Sequence, residues 1–416
     1  IYYWSGAPSG ISVDLNAGTA TDGFGDTDSL VNIEEVEGTS FADSITGDNN
    51  NNRLVGREGN DTILGLGGND RLEGDDGNDS LLGGDGEDRL YGDDGNDSLE
   101  GGNDRDRIYG GDGSDTLLGG EGGDDLRPGT GTDSVVGGAR GPDGEWNDLS
   151  YIWDSFDAGA SGGLTVTFTS EFGGTVNDYG GDTDTFSDID RVLGTMNADR
   201  FTGSSGRQIF SGLGGNDTFN GGAGDQDRVD YSPSGWDTIL GASQGVNVNL
   251  GSGTATDPFG GTDSFSGIEE IRGTDRNDTI SGDGKENRLE GRDGNDTISG
   301  GGGDDRLRGD DGNDSLVGGS GNDDLSGGDG DDTLVGGNDG DWIQPGAGSD
   351  VINAGNGGND WWDELAYHWD SFHHNGPTQG MTITFTSELD GNVSDFTGAT
   401  DVFTGIEKVN GSMLGD

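Results

Sequence analysis

Along residues 38–136 an aliphatic side chain returns every nine residues: Ile45, Leu54, Ile63, Leu72, Leu81, Leu90, Leu99, Ile108, Leu117, Leu126 and Val135. The residue before it is polar in every block. One apolar residue between outward-pointing neighbours predicts a strand of about three residues with a single inward side chain. The six residues before each strand carry almost nothing to bury. Glycines recur at their first and fourth positions, which predicts a tight bend with positive backbone angles. The stretch divides into eleven such nine-residue blocks.

A second period describes how the blocks stack. Just before the aliphatic residue, Arg53, Arg71, Arg89 and Arg107 recur every eighteen residues, and Thr62, Ser80, Ser98 and Thr116 occupy that place in the blocks between. Alternate blocks therefore sit in different environments. The prediction is one coil turn per eighteen residues and two facing parallel sheets, one bearing an arginine ladder. At the usual strand spacing this array would be roughly 25 Å long.

The sixth position of the block is acidic: Asp43, Asp61, Asp70, Asp79, Asp88, Asp97, Asp106, Asp115, Asp124 and Asp133, with Asn52 in one place. A glycine bend that turns carbonyls inward beside a carboxylate offers only oxygen, the donor that hard cations such as calcium take. The pattern GGxGxDxUx resembles the calcium-binding nonapeptide of the RTX (repeats-in-toxin) family. That resemblance implies an all-β fold, a parallel β-roll or β-helix solenoid with flanking short β-strand modules. It also implies that these Asp side chains and nearby carbonyls are calcium ligands shared between neighbouring turns.

Composition fits a chain that needs cations. There are 82 acidic and 20 basic residues, a formal charge of −62, 90 glycines, and only 27% apolar residues. Without a period such a chain would be expected to stay disordered. Pairing each block with the next but one allows at most about seventeen Ca²⁺ sites over all arrays. The acidity excludes nucleic acid as a partner. No apolar run reaches the ~18 residues of a membrane span. The absence of cysteine excludes structural disulfides. The chain starts at Ile1 without a signal peptide and ends on GSMLGD, which looks like a cut nonapeptide; the expectation is an interior window of something larger.

The chain reads in order as a β lead-in module (1–37), the first array (38–136), an aromatic cap and β module (137–193), and a short array (194–228). A second lead-in (229–272), a nine-block array (273–353), another cap and β module (354–410) and the start of a truncated array (411–416) follow. The short array supplies Asp199 and Asp217; Gln208 takes the place of an acid there, which argues against ligation. The nine-block array supplies Asp278, Asp296, Asp305, Asp314, Asp323, Asp332, Asp341 and Asp350, with Asn287 in one place. The lead-in phrase occurs four times, starting at Gly10, Gly163, Gly245 and Gly380, and is expected to continue the coil. The segments WNDLSYIWDSF and WDELAYHWDSF hold Trp146, Trp153, Trp362 and Trp369, with Trp361 alongside; they are expected to cover an open end of the roll. Relative to the second unit, the first carries eighteen extra residues, one whole turn, as this pitch would tolerate.

Catalytic chemistry is not expected. His368, His373 and His374 cluster, but the sister segment has Ile152 at the place of His368 and Asp157 and Ala158 near the others. No HExxH occurs. GxSxG occurs at Gly159–Gly163 and Gly241–Gly245, where this glycine- and serine-rich chain yields it by chance and without the strand–turn–helix setting it requires. The twelve-residue EF-hand loop is missing. The carboxylates recur by period rather than standing as a glycosidase pair. The expectation is an extracellular or cell-surface calcium-binding structural protein: an adhesin, surface-layer, biofilm-matrix or filament subunit, folded and stiffened by Ca²⁺. Head-to-tail self-association or a cell-surface or polysaccharide partner goes with it. Type I secretion from a Gram-negative bacterium follows from the resemblance. The alternatives are the calcium-dependent folding and secretion tail of an enzyme such as a protease, lipase or alginate epimerase, and a carbohydrate-binding module using the tryptophans.

Overall fold

The structure is a computed structural model describing residues 8–141, 146–152, 162–178, 180–232, 242–356, 363–367, 382–385, 389–394, 399–406 and 408–410. All regular structure among them is β. The chain forms two compact units, 1–212 and 213–416.

In the first unit the eighteen-residue pitch is literal. Arg53–Glu58, Arg71–Asp76, Arg89–Asp94, Arg107–Asp112 and Asp125–Thr130 stack as one parallel ladder, with Arg53, Arg71, Arg89, Arg107 and Asp125 in register. Ser44–Thr46, Thr62–Gly67, Ser80–Asp85, Ser98–Asn103, Thr116–Glu121 and Ser134–Ala139 form the other. The aliphatic residues Leu72, Leu81, Leu90 and Ile108 are fully buried between them. In the second unit Arg288–Asp293, Arg306–Asp311, Asp324–Asp329 and Trp342–Ala347 stack in the same way against Thr297–Gly302, Ser315–Ser320, Thr333–Asn338 and Val351–Asn356.

After their first blocks, the strands of the two long arrays are six residues long, twice the expected length. Each runs past the block boundary, as in Arg71–Asp76, whose burial alternates in–out–in through Leu72, Glu73 and Gly74. The inward glycine is what permits it. A Cβ on Gly74 would fall on Oδ2 of Asp79 and the carbonyl of Gly92. The strand can continue inward there only because that position has no side chain. The turn that follows holds Gly77 at φ 154°, a conformation costly to any residue with a Cβ.

The arginine ladder is partly paired. Arg53 bridges Glu35 at 3.1 Å and Glu73 at 2.9 Å, and Arg71 also meets Glu73 at 2.5 Å. Further along, Arg71 lies 4.2 Å over the Tyr91 ring, Tyr91 stacks on Tyr109 at 4.7 Å, and Arg127 covers Tyr109 at 4.7 Å.

The segments between arrays enter the same ladders. Thr165–Phe168, Gly174–Asn177 and Thr183–Ser187 form an antiparallel meander. Its last strand lies parallel on Ser134–Ala139 and its first on Arg200–Thr202. On the opposite side Asp125–Thr130, Asp148–Ser150, Arg191–Leu193 and Ile209–Ser211 continue without a break. Thr262–Ser266, Thr254–Thr256 and Asn247–Asn249 make the corresponding meander between Thr218–Asn220 and Thr279–Ser281. Ser12–Asp14, Thr19–Thr21 and Thr27–Ser29 make another, joined through Ser12–Asp14 to Ser44–Thr46. Beside the meander at 165–187 the core includes a cluster of rings, with Phe168, Phe186, Phe201 and Phe210 in edge-on or tilted contact at 5.1–5.7 Å.

Candidate metal centres along the carboxylate columns

The eighteen-residue coil places the sixth-position acids in columns. Along one column of the first unit, the backbone N–H of Asp61 donates to Oδ1 of Asp79, Asp79 to Asp97, Asp97 to Asp115, and Asp115 to Asp133, at 2.7–2.8 Å. The other column links Asn52, Asp70, Asp88, Asp106 and Asp124 in the same way, at 2.7–2.9 Å. The second unit has columns from Asp278 through Asp296, Asp314 and Asp332 to Asp350, and from Asn287 through Asp305 and Asp323 to Asp341. Every sixth-position acid is buried.

One oxygen of each interior carboxylate is therefore held by a main-chain N–H. The other is not. Oδ2 of Asp61, Asp70, Asp79, Asp88, Asp97, Asp106, Asp115 and Asp133 is buried without a hydrogen-bond partner. So is that of Asp296, Asp305, Asp314, Asp323, Asp332 and Asp341. In several blocks this oxygen and a carbonyl of the next turn converge on one inward glycine: Asp79 with Gly92 at Gly74, Asp88 with Gly101 at Gly83, Asp314 with Gly327 at Gly309. Acceptor faces acceptor with no N–H between them. A buried anion so placed requires a cation or a proton. Accordingly, burial pushes Asp79 up to about 6, Asp61 and Asp88 to about 7, Asp296 to about 8 and Asp106 to about 9; the bond from the main chain opposes the shift and neighbouring carboxylates add to it. No three acidic or imidazole side chains converge among the described residues, so any ion here depends on main-chain carbonyls as well. The donor set is all oxygen and suits calcium.

The first acids of each array differ. Asp43 accepts bonds from the N–H groups of Ile11 (2.6 Å) and Thr39 (2.5 Å) and from the Thr39 hydroxyl (3.0 Å). Asp278 is held alike by Val246 and Thr274, and Asp199 by Leu164 and Thr195. In these blocks the second residue turns its N–H toward the acid, and Gln208, Asn52 and Asn287 accept the same bond from Ser204, Asp48 and Asp283. The interior blocks lack it because their second residue is in the left-handed region, as at Asp75 (φ 67°) and Asp93 (φ 69°).

At the far end the columns close on residues that sequence reasoning missed. Asp133 N–H donates to Oδ1 of Asp184, whose Oδ2 takes the hydroxyl of fully buried Tyr151 at 2.6 Å. Asp350 ends on Asp401 and Tyr367, and Asp217 on Asp263 and Tyr231. The second column of the first unit ends on Asn147, whose side-chain amide donates to the carbonyls of Gly138 and Asp188. A recurring Thr-Asp pair in the lead-in phrase and a tyrosine recurring within the two cap segments, at Tyr151 and Tyr367, were the available signals. Replacing Tyr151 by Phe leaves Asp184 short of a donor in a buried place. It is expected to destabilise the first unit by about 1.5–3 kcal/mol, read by urea unfolding in millimolar calcium; an unchanged midpoint would mean the bond is not made.

Of the predicted aromatic caps, Trp153, Trp361, Trp362 and Trp369 lie outside the described residues, as do His368, His373 and His374. Trp146 is described, with Arg191 5.5 Å over its ring.

A family model of the RTX calcium-binding nonapeptide repeat matches residues 33–135, 193–225 and 263–361 in overlapping segments. The chain folds as a parallel β-solenoid with columns of buried carboxylates, and it belongs to the RTX calcium-binding repeat family. It is a calcium-binding structural repeat protein, with calcium as its cofactor. Comparison with curated proteins gives no match. Among solved structures, the extracellular lipase LipA from Serratia marcescens is similar at 17% identity over 77% of this chain, with a TM-score of 0.16. This chain spans 38% of that lipase, and so loose a superposition says nothing about activity.

Proposed function

We propose that the chain is a non-enzymatic, extracellular structural segment in which Ca²⁺ both folds and stiffens the coil, serving adhesion, a surface layer, a biofilm matrix or a filament. The observation that carries this is the pair of carboxylate columns in each unit, where acids such as Asp79, Asp88 and Asp314 keep a buried oxygen without a hydrogen-bond partner beside a carbonyl of the next turn. Calcium at those places neutralises charge that the coil itself brings together, and it joins one turn to the next. The ligands are the interior acids, from Asp61 to Asp133 and from Asp296 to Asp350, with glycine carbonyls of adjoining turns. Asp43, Asp199 and Asp278 act as closures whose oxygens are already occupied by N–H and O–H donors. Asp217 is held in the column that ends on Asp263. Extracellular calcium modules bind at roughly 0.1–1 mM, which keeps such a chain unfolded in a low-calcium cytoplasm and folds it outside.

Electron microscopy of the protein in millimolar calcium and after chelation tests the assembly role. Ordered assemblies in calcium that disperse in chelator are expected. Isolated single chains in both conditions would remove the filament and surface-layer readings.

A further inference from the structure

One hairpin outside the regular arrays repeats the chemistry of the array sites. Thr254–Thr256 and Thr262–Ser266 pair antiparallel, and Asp257 opens the turn between them. Asp257 is fully buried. Its Oδ1 accepts the N–H groups of Phe259 (2.7 Å) and Gly261 (2.9 Å), which closes the turn. Its Oδ2 has no hydrogen-bond partner. A Cβ built on Gly261 would meet that Oδ2 and the carbonyl oxygen of Gly215. Gly215 belongs to the nonapeptide that carries Asp217.

This is the arrangement seen at Gly74 and Gly309: an orphaned carboxylate oxygen and a carbonyl from the neighbouring coil meeting at one glycine. Ordinary hydrogen bonds lie on both sides of it. Asn216 accepts the N–H of Thr262 at 2.8 Å, Asp263 accepts that of Asp217 at 3.0 Å, and the Tyr231 hydroxyl donates to the other oxygen of Asp263 at 2.8 Å. The hairpin is thus fixed against the nonapeptide by ordinary hydrogen bonds on either side of the unpartnered Asp257 Oδ2 and the Gly215 carbonyl beside it. Asp178, six residues before Asp184 as Asp257 is before Asp263, makes a like turn with Gly181 and Asp182. It too keeps a buried Oδ2 without a partner.

We propose that Asp257 Oδ2 and the Gly215 carbonyl hold a divalent cation that fastens the meander at 247–266 to the nonapeptide beside it. An all-oxygen donor set selects calcium over softer ions. The site lies outside the sixth-position columns, and the argument rests on the reading of those columns as calcium sites. Its consequence is that the meander, and not only the roll, becomes calcium-dependent.

Two measurements on the whole chain test this. In crystals grown with calcium and exchanged with manganese, anomalous density is expected between Asp257 Oδ2 and Gly215 O as well as beside Asp314 and Asp332. In native mass spectrometry, Asp257→Asn, which keeps the Oδ1 acceptor of the turn, is expected to carry one calcium fewer per chain than the parent. Density beside Asp314 with none at Asp257, or an unchanged ion count in Asp257→Asn, overturns this proposal alone. Absence of density at both places overturns the reading of the columns with it.

Discussion

In excess chelator at pH 8 the chain is expected to lose its strand signal in far-ultraviolet circular dichroism and to expand toward the ~75 Å radius of gyration of an unfolded chain of this length. Acidifying the same chelated sample to pH 5 is expected to restore part of both. The reason is the columns. Interior acids such as Asp61, Asp79 and Asp106 rise on burial from an ordinary 3.8 to about 7, 6 and 9 in the metal-free coil. A carboxyl whose folded value is raised binds more protons in the folded than in the unfolded state. Its contribution is fully present below 3.8 and is lost as pH climbs through the folded values, here between about 6 and 9. A proton is thus a partial stand-in for the cation. With calcium present the dependence reverses, because calcium must displace those protons and binds more tightly as pH rises. Small-angle scattering and circular dichroism along a pH series, with and without calcium, check both signs. A compact, native-like chain in chelator at pH 8 would show that the buried carboxylates do not need a counter-charge.

Much of this fold is legible in the sequence because the structure is itself periodic. The nine-residue spacing of the aliphatic residues and the eighteen-residue spacing of Arg53, Arg71, Arg89 and Arg107 are the strand register, written along the chain. Three features were not legible, each for a physical reason. Strand length was underestimated because an inward glycine carries no side-chain signal; Gly74 continues the alternation that Leu72 begins. The different state of Asp43, Asp199 and Asp278 turns on whether the second residue of the block is left-handed, which the residue type alone does not decide: Asp75 is left-handed, whereas Asp48 donates its N–H to Asn52. The Tyr151–Asp184 and Tyr367–Asp401 closures join residues 33 and 34 positions apart, outside any repeat period. Ends of a periodic structure are where period-based reading fails, because there the chain must substitute hydrogen-bond donors for the next turn.

The inward glycine also gives the sharpest contrast between losing a ligand and losing the space for an ion. Asp97→Asn is expected to weaken calcium binding while making the chelated coil less costly, since it removes a buried charge whose Oδ2 has no partner. The amide that replaces the carboxylate still offers an oxygen to the Asp79 N–H, which bonds Asp97 at 2.7 Å in the parent chain. Gly92→Ala acts differently. Its methyl would fall on Oδ2 of Asp97 and the Gly110 carbonyl, with Cβ of Asp97 at 3.1 Å, so it enters the place where a cation would sit and also pushes two turns apart. Such overpacking costs about 1–3 kcal/mol before the lost ion is counted. The alanine variant is therefore expected to be less stable than the parent in calcium and in acidified chelator alike. The asparagine variant is expected to be worse only in calcium. Urea unfolding of the two variants under both conditions separates the cases; a Gly92→Ala chain as stable as the parent in calcium would mean that the ions do not lie against this glycine.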